Sequence, residues 1–205
     1  MRAGDTLVLT KPLGTGALLA ADMRGKAKAR HVMAAIDQMI QSSRAAADIL
    51  ARHGATAATD VTGFGLVGHL AEMTRASGVG ATLYADAIAL LDGAREAAAA
   101  GIFSSLQPQN LGARHAIRDV QSAARLDIFP MLFDPQTAGG LLASVPAARA
   151  EDCVAALREA GYARAAIIGR VTAFANGAGD IAVIGSRVET AGQAVARTAE
   201  PAPSS

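Results

Sequence analysis

Short apolar bursts separated by glycine and proline set the rhythm of this chain. Residues 6–10 (TLVLT) predict a short buried strand. A Pro-Leu-Gly turn then leads into helical composition over 14–23. Val32, Ile36, Met39 and Ile40 recur at helical spacing, which predicts one long amphipathic helix over 29–53, capped by Gly54. A strand at 57–61 follows, then a glycine loop and a helix over 66–76. Further strands are predicted at 80–84, 139–145, 165–171 and 180–184, the last two joined by a turn rich in Asn and Gly. Helices are predicted over 92–100 and 147–160, with a short one inside 119–132. Residues 102–117 read as irregular, and a loop of that length in a compact domain is usually functional or mobile.

Strands alternate with helices, but at uneven spacing. The expected fold is α+β, a layered α/β domain whose mixed sheet is covered by helices. The domain spans 1–185, and 186–205, rich in Ala, Thr, Pro and Ser, reads as a flexible tail. The first strand starts so close to Met1 that the natural chain is expected to extend upstream.

Composition narrows the function. Hydrophobic residues make up 51% and charged residues 18% of the 205, which excludes disorder for the bulk of the chain. Lys+Arg of 19 against Asp+Glu of 18 leaves a charge of +1, with no electrostatic footprint for nucleic acid. Aromatics at 3% and the lack of Trp argue against base stacking. No run approaches the roughly 18 apolar residues of a membrane span, and no membrane partner is expected. The N-terminus has no signal-peptide pattern, so the cytoplasm is the expected compartment. The single Cys153 excludes a CxxC site, and its apolar surroundings predict a buried, inert thiol. His31, His53, His69 and His115 do not fall at metal-ligand spacing, and each reads as a neutral surface or core histidine.

Three segments carry chemistry. In TDVTGFGLVGH (59–69) a strand delivers Asp60 to its end, glycines turn the backbone, and a helix begins. Free amides at a helix start attract anions, and a carboxylate beside them makes sense if it holds Mg²⁺ against phosphate oxygens. The bland reading is a tight strand-to-helix turn with Asp60 as its cap. Gly63, Gly65 and Gly68 also spell GxGxxG, with Asp86 downstream, which is the formal dinucleotide fingerprint. In DPQTAGGLL (134–142) paired glycines permit close approach of a ligand, or simply turn the chain into a core strand. In LTKPLGTG (9–16) Lys11 is either an anion contact or a solvated surface lysine.

Together these three segments resemble the selenophosphate synthetases (selenide, water dikinases). The resemblance covers about residues 3–175, and only the second half of that family's chain. The family belongs to a superfamily resembling aminoimidazole ribonucleotide synthetase, in which an N-terminal ATP-binding domain precedes a C-terminal α/β domain. The resemblance implies that ATP, selenide and water become selenophosphate, AMP and orthophosphate, with Mg²⁺ on the phosphates. Asp60 matches the family's metal-binding aspartate, and Thr62, Gly63, Phe64 and Gly65 match the loop that closes over the phosphate region. Lys11, Asp134, Gln136 and Thr137 are placed near that site. The family's reactive Cys or selenocysteine, its neighbouring lysine, its ATP loop and its other metal-binding aspartates lie in the half that is absent here. Cys153 does not match that position, so no catalytic residue is assigned. The expectation is half of an enzyme, inactive alone, whose complete form is a homodimer. The alternatives are a non-catalytic binding or assembly module of the same fold, and a dinucleotide-binding domain.

Overall fold

The computed structural model describes residues 1–174 and 180–186. Six strands form one sheet: β1 (Thr6–Leu9), β2 (Ala57–Asp60), β3 (Val79–Tyr84), β4 (Leu141–Val145), β5 (Ala166–Ala173) and β6 (Ile181–Ile184). Their order is β2-β4-β1-β5-β3-β6. β3 and β6 run parallel, and the other pairings are antiparallel. This is the mixed sheet the sequence predicts.

The sheet is layered between helices because its central strand alternates. Leu7 and Leu9 of β1 bury on one face, in a cluster with Leu18, Leu66, Leu70 and Phe133. That layer is built on α1 (Thr15–Met23) and α4 (Gly65–Ser77). Val8 turns to the other face and packs with Ile49, Leu50, Val154 and Leu157. Those residues belong to α3 (Arg44–Arg52) and α8 (Ala147–Glu159). The two-residue period of a strand sends consecutive apolar side chains into different cores. Each fully buried Leu or Val contributes about 1.5–3 kcal/mol. Cys153 lies in the second core, where burial pushes its thiol pKa up and Arg149 only partly opposes that.

The expected helix over 29–53 is two helices, α2 (Ala29–Ile40) and α3. Gln41 is extended and ends α2. The adjoining Ser42 competes with the helical ladder through its hydroxyl, and its Oγ takes the Arg44 amide at 3.2 Å. Tertiary groups then satisfy the backbone freed at the break. Tyr162 Oη donates to Ser42 O (2.7 Å) and accepts the Ala46 amide (3.1 Å). The segment 102–117 is also regular in part, with α5 (Ala94–Ala99) before it and α6 (Gln107–Asn110) within it, followed by a 3₁₀ turn over Leu111–Ala116. The expected short helix is α7 (Val120–Ala123). The Asn-Gly turn at 175–179 and the predicted tail beyond residue 186 lie outside the described residues.

One carboxylate ties the start of the chain to the sheet. Asp5 accepts the hydroxyls of Thr56 (2.6 Å) and Ser144 (2.8 Å) and the Arg2 amide (3.1 Å). Burial alone would raise its pKa, but these donors hold it below the usual 3.8. Asp5→Ala is expected to cost about 2 kcal/mol in urea denaturation at pH 7, because it leaves buried hydroxyls without their acceptor. A depressed carboxylate stabilises above its unfolded pKa. The gap between wild type and variant therefore closes as pH falls below 3.8.

Candidate functional site

The site is built where β2, an edge strand, runs out. Val61 is fully buried and its amide donates to Gly140 O (2.8 Å), which anchors the strand end. Asp60, one residue earlier, is exposed, and its carboxylate has no hydrogen bond or ion pair among the described residues. The chain then crosses Thr62–Gly63–Phe64 and enters α4. At that entry Gly65 has φ +71°, and a β-carbon there would lie 2.8 Å from the Phe133 backbone. Only glycine meets both demands.

The loop is held with its carbonyls inward. Thr62 O accepts the amides of Gln136 (2.9 Å) and Gly65 (3.1 Å). Gly63 O accepts Asn110 Nδ2 (2.7 Å), which also donates to Phe133 O (3.0 Å). The Thr62 amide donates to His69 Nε2 (3.0 Å). The amides of Gly63 and Phe64 have no partner among the described residues. Phe64 is 59% exposed, and its ring rests 5.6 Å from that of His69. The result is a half-exposed loop with two unpartnered amides, three residues on from an unpaired carboxylate.

DPQT has a different task. Gln136 is buried, and its Oε1 accepts the amides of Gly14 (3.0 Å) and Thr15 (3.2 Å) and the Thr15 hydroxyl (3.1 Å). It is a remote N-cap for α1, supplied from the far end of the sequence. Thr15 Oγ1 in turn accepts the Thr137 amide (2.9 Å). Asp134 lies beneath, fully buried, with Oδ2 accepting Gln136 Nε2 (2.8 Å). Its Oδ1 makes no hydrogen bond of good geometry, although the Gly16 and Ala17 amides lie close enough to favour its charge. Burial outweighs the help from Gln136, Ala17 and Gly16 and lifts the pKa to about 6. Thr137 reaches the exposed surface. Gly139 passes so close to the Val61 carbonyl that a β-carbon would collide with it. The two loops are thereby packed backbone to backbone.

Lys11 departs from the expectation of a solvated surface lysine. It is 2% exposed, and Nζ donates to the carbonyls of Gln38 (3.0 Å), Gln41 (2.7 Å) and Ala138 (3.3 Å). Burial lowers its pKa. Its donors close the end of α2 and the DPQTAGG loop, which leaves none for a phosphate. The structure thus gathers Asp60, Thr62, Gly63, Phe64, Gly65, Gln136 and Thr137 at one corner and sets Asp134 and Lys11 behind it. Sequence reasoning missed Asn110, which lies in the stretch read as irregular, and the role of His69, which was read as neutral but unplaced. The seven-residue spacing from Thr62 to His69 was the available signal, since a side chain in the second turn of a helix leans back towards its N-terminus.

Residues 2–181 match the family described as AIR synthase related protein, C-terminal domain. The chain belongs to this family. Among proteins similar to this AIR synthase related domain, the selenide, water dikinase of Pelobacter propionicus is 39% identical over 171 residues, 83% of this chain and 49% of its own length. That of Porphyromonas gingivalis is 40% identical over 174 residues, 84% and 49% respectively. The domain therefore spans about half the length of these relatives. The resemblance to selenide, water dikinases read from the three motifs is borne out. A hydrogenase maturation protein HypE shares the fold, with a TM-score of 0.63 and 19% identity over 85% of this chain and 46% of its own. The thiamine monophosphate kinase of Aquifex aeolicus does so with a TM-score of 0.52 and 20% identity, over 93% and 53%.

The dinucleotide fingerprint does not fit this AIR synthase related domain. That motif needs a parallel strand–helix–strand unit. Here β2 pairs antiparallel with β4, and β3 lies on the other side of β1.

The buried Asp134 yields a pH signature. Its folded pKa of about 6 exceeds the unfolded 3.8, so the fold takes up a proton that the unfolded chain does not hold between those values. Stability from this group rises as pH falls from above 6 towards 4. In thermal unfolding from pH 7.5 to 4.5, wild type should gain on Asp134→Asn, which carries no buried charge. Parallel curves would show that Asp134 is not a raised, buried carboxyl.

Proposed function

We propose that this chain is the C-terminal half of an ATP-dependent selenide phosphotransferase that forms selenophosphate, AMP and orthophosphate from ATP, selenide and water. The observation that carries this reading is Gly63. It sits at the crest of the loop with no positive φ, and a β-carbon there would meet nothing within 4 Å. The fold itself does not require glycine at this point. An approaching phosphate does, because a bare backbone lets oxygen reach the unpartnered amides of Gly63 and Phe64. The relatives named selenide, water dikinase supply the substrate class.

The residues present fit one contact to Mg²⁺. Asp60 is an exposed, unpaired oxygen ligand at a strand end, the hard donor this ion prefers. No group of three His, Cys, Asp or Glu able to hold a metal exists among the described residues. The remaining ligands must come from nucleotide oxygens and from an N-terminal ATP-binding domain. Bound Mg²⁺ would neutralise phosphate charge during transfer. This chain's own part is to hold the phosphates. The Gly63 and Phe64 amides donate to oxygens, Thr62 borders them with its hydroxyl, and Phe64 shields the loop from water. With a single metal-binding carboxylate on this side of the site, the chain is read as inactive without the other domain. The complete protein is read as a cytoplasmic homodimer.

Two substitutions in the complete protein test this. Asp60→Ala should lower selenophosphate formation at least about a hundredfold, followed by phosphorus NMR. Stability should stay within about 0.5 kcal/mol, because the residue is exposed and unpaired. Gly63→Ala should fold as well as wild type or better, gaining about 0.4–1 kcal/mol from a stiffer unfolded chain. Its KM for ATP should rise all the same. Wild-type kinetics in both variants would contradict the reading.

A further inference from the structure

We infer that His69 is the positioning residue of the phosphate loop, acting as a neutral acceptor that holds Thr62. This rests on the phosphotransferase reading above and deepens it. The Thr62 amide can only donate, and it lies 3.0 Å from His69 Nε2. Nε2 must therefore offer its lone pair, and the ring proton resides on Nδ1. Nδ1 faces Glu72 Oε2 at 4.0 Å, a carboxylate that favours this tautomer. Nε2 has one lone pair, and the amide is the closer claimant. The Thr62 hydroxyl, at 3.2 Å, could reach the same lone pair only as a second donor.

The geometry explains why the ring is built in rather than merely tolerated. His69 is 6% exposed and lies one turn inside α4, so its side chain leans back over the helix start. The Phe64 ring covers it at 5.6 Å. Holding the Thr62 amide inward fixes the direction of the next peptide units, and the Gly63 and Phe64 amides then open outward. Asn110 fixes the same loop from its carbonyl side. Without the His69 acceptor the Thr62 amide must find another partner, and the simplest rearrangement turns the loop and misaims the amides beside Asp60.

The test uses this chain, isotopically labelled, and the complete protein. Ring-nitrogen NMR of the chain should show His69 with Nδ1 protonated and Nε2 unprotonated at neutral pH. His69→Ala should make the Thr62 amide exchange about tenfold faster, the loss of one hydrogen bond, while β1 and β5 amides keep their rates. His69→Gln, whose Oε1 can accept near the Nε2 position, should restore most of that protection. In the complete protein His69→Ala should raise the KM for ATP about tenfold with a smaller change in kcat, and Gln should recover it. An Nε2-protonated ring, an unchanged Thr62 exchange rate in His69→Ala, or a Gln variant as impaired as Ala would overturn the inference. If the complete wild-type protein makes no selenophosphate, the phosphotransferase reading falls, while the tautomer and the Thr62 exchange rate still decide the role of His69.

Discussion

Gln136 uses its side-chain amide and its backbone to join three segments that are distant in sequence. Oε1 takes donors from Gly14 and Thr15, Nε2 donates to Asp134, and its own amide donates to Thr62 O. LTKPLGTG, TDVTGFG and DPQTAGG are thus three sides of one hydrogen-bonded knot. The knot is buried, so every unmade bond would cost about 1–3 kcal/mol, and the geometry has little freedom. α1 begins where Gln136 allows it to begin. The loop before α4 hangs from the same residue.

This constraint separates support from chemistry. Asp134, Gln136 and Lys11 face inward; Gln136 and Lys11 spend their polar groups largely on the protein's own backbone, and Asp134 accepts from Gln136. Asp60, Phe64 and Thr137 are left exposed on the rim, and the Gly63 and Phe64 amides have no partner among the described residues. A carboxylate beside free amides is a contradictory pair for a bare phosphate, because one repels what the other attracts. It becomes coherent when a divalent cation lies between them. The site also sits at the open edge of the sheet, where a second domain can reach Asp60 without displacing any strand.

Much of this was legible from the sequence, and the failures have a common cause. Strand-end Asp60, the glycine turn and the following helix follow from local pattern, and they are where the pattern put them. The buried strand at 6–10 and the helix over 147–160 followed from local composition as well, whereas the stretch 29–53 was read as one helix where there are two. What escaped were interactions between residues far apart in the chain. Lys11 was read as an anion contact or a solvated surface lysine, yet carbonyls from residues 38, 41 and 138 surround it and it is neither. The break between α2 and α3 is made tolerable by Lys11 and by Tyr162, neither of which lies in the helical stretch. Gln136 looks like any turn glutamine until α1 is placed against it. Asn110 sits in a segment with no periodicity to read, although it grips the loop from beneath.

The central claim is that this corner handles phosphates only when another domain completes it. Reconstitution tests that most directly. Phosphorus NMR would follow Mg–ATP and selenide under anaerobic conditions, with this chain alone, with a separately supplied N-terminal ATP-binding domain alone, and with both. The account predicts selenophosphate and AMP in equal amounts only in the combined sample. Turnover by this chain alone, or silence in the combined sample with both pieces folded, would contradict it.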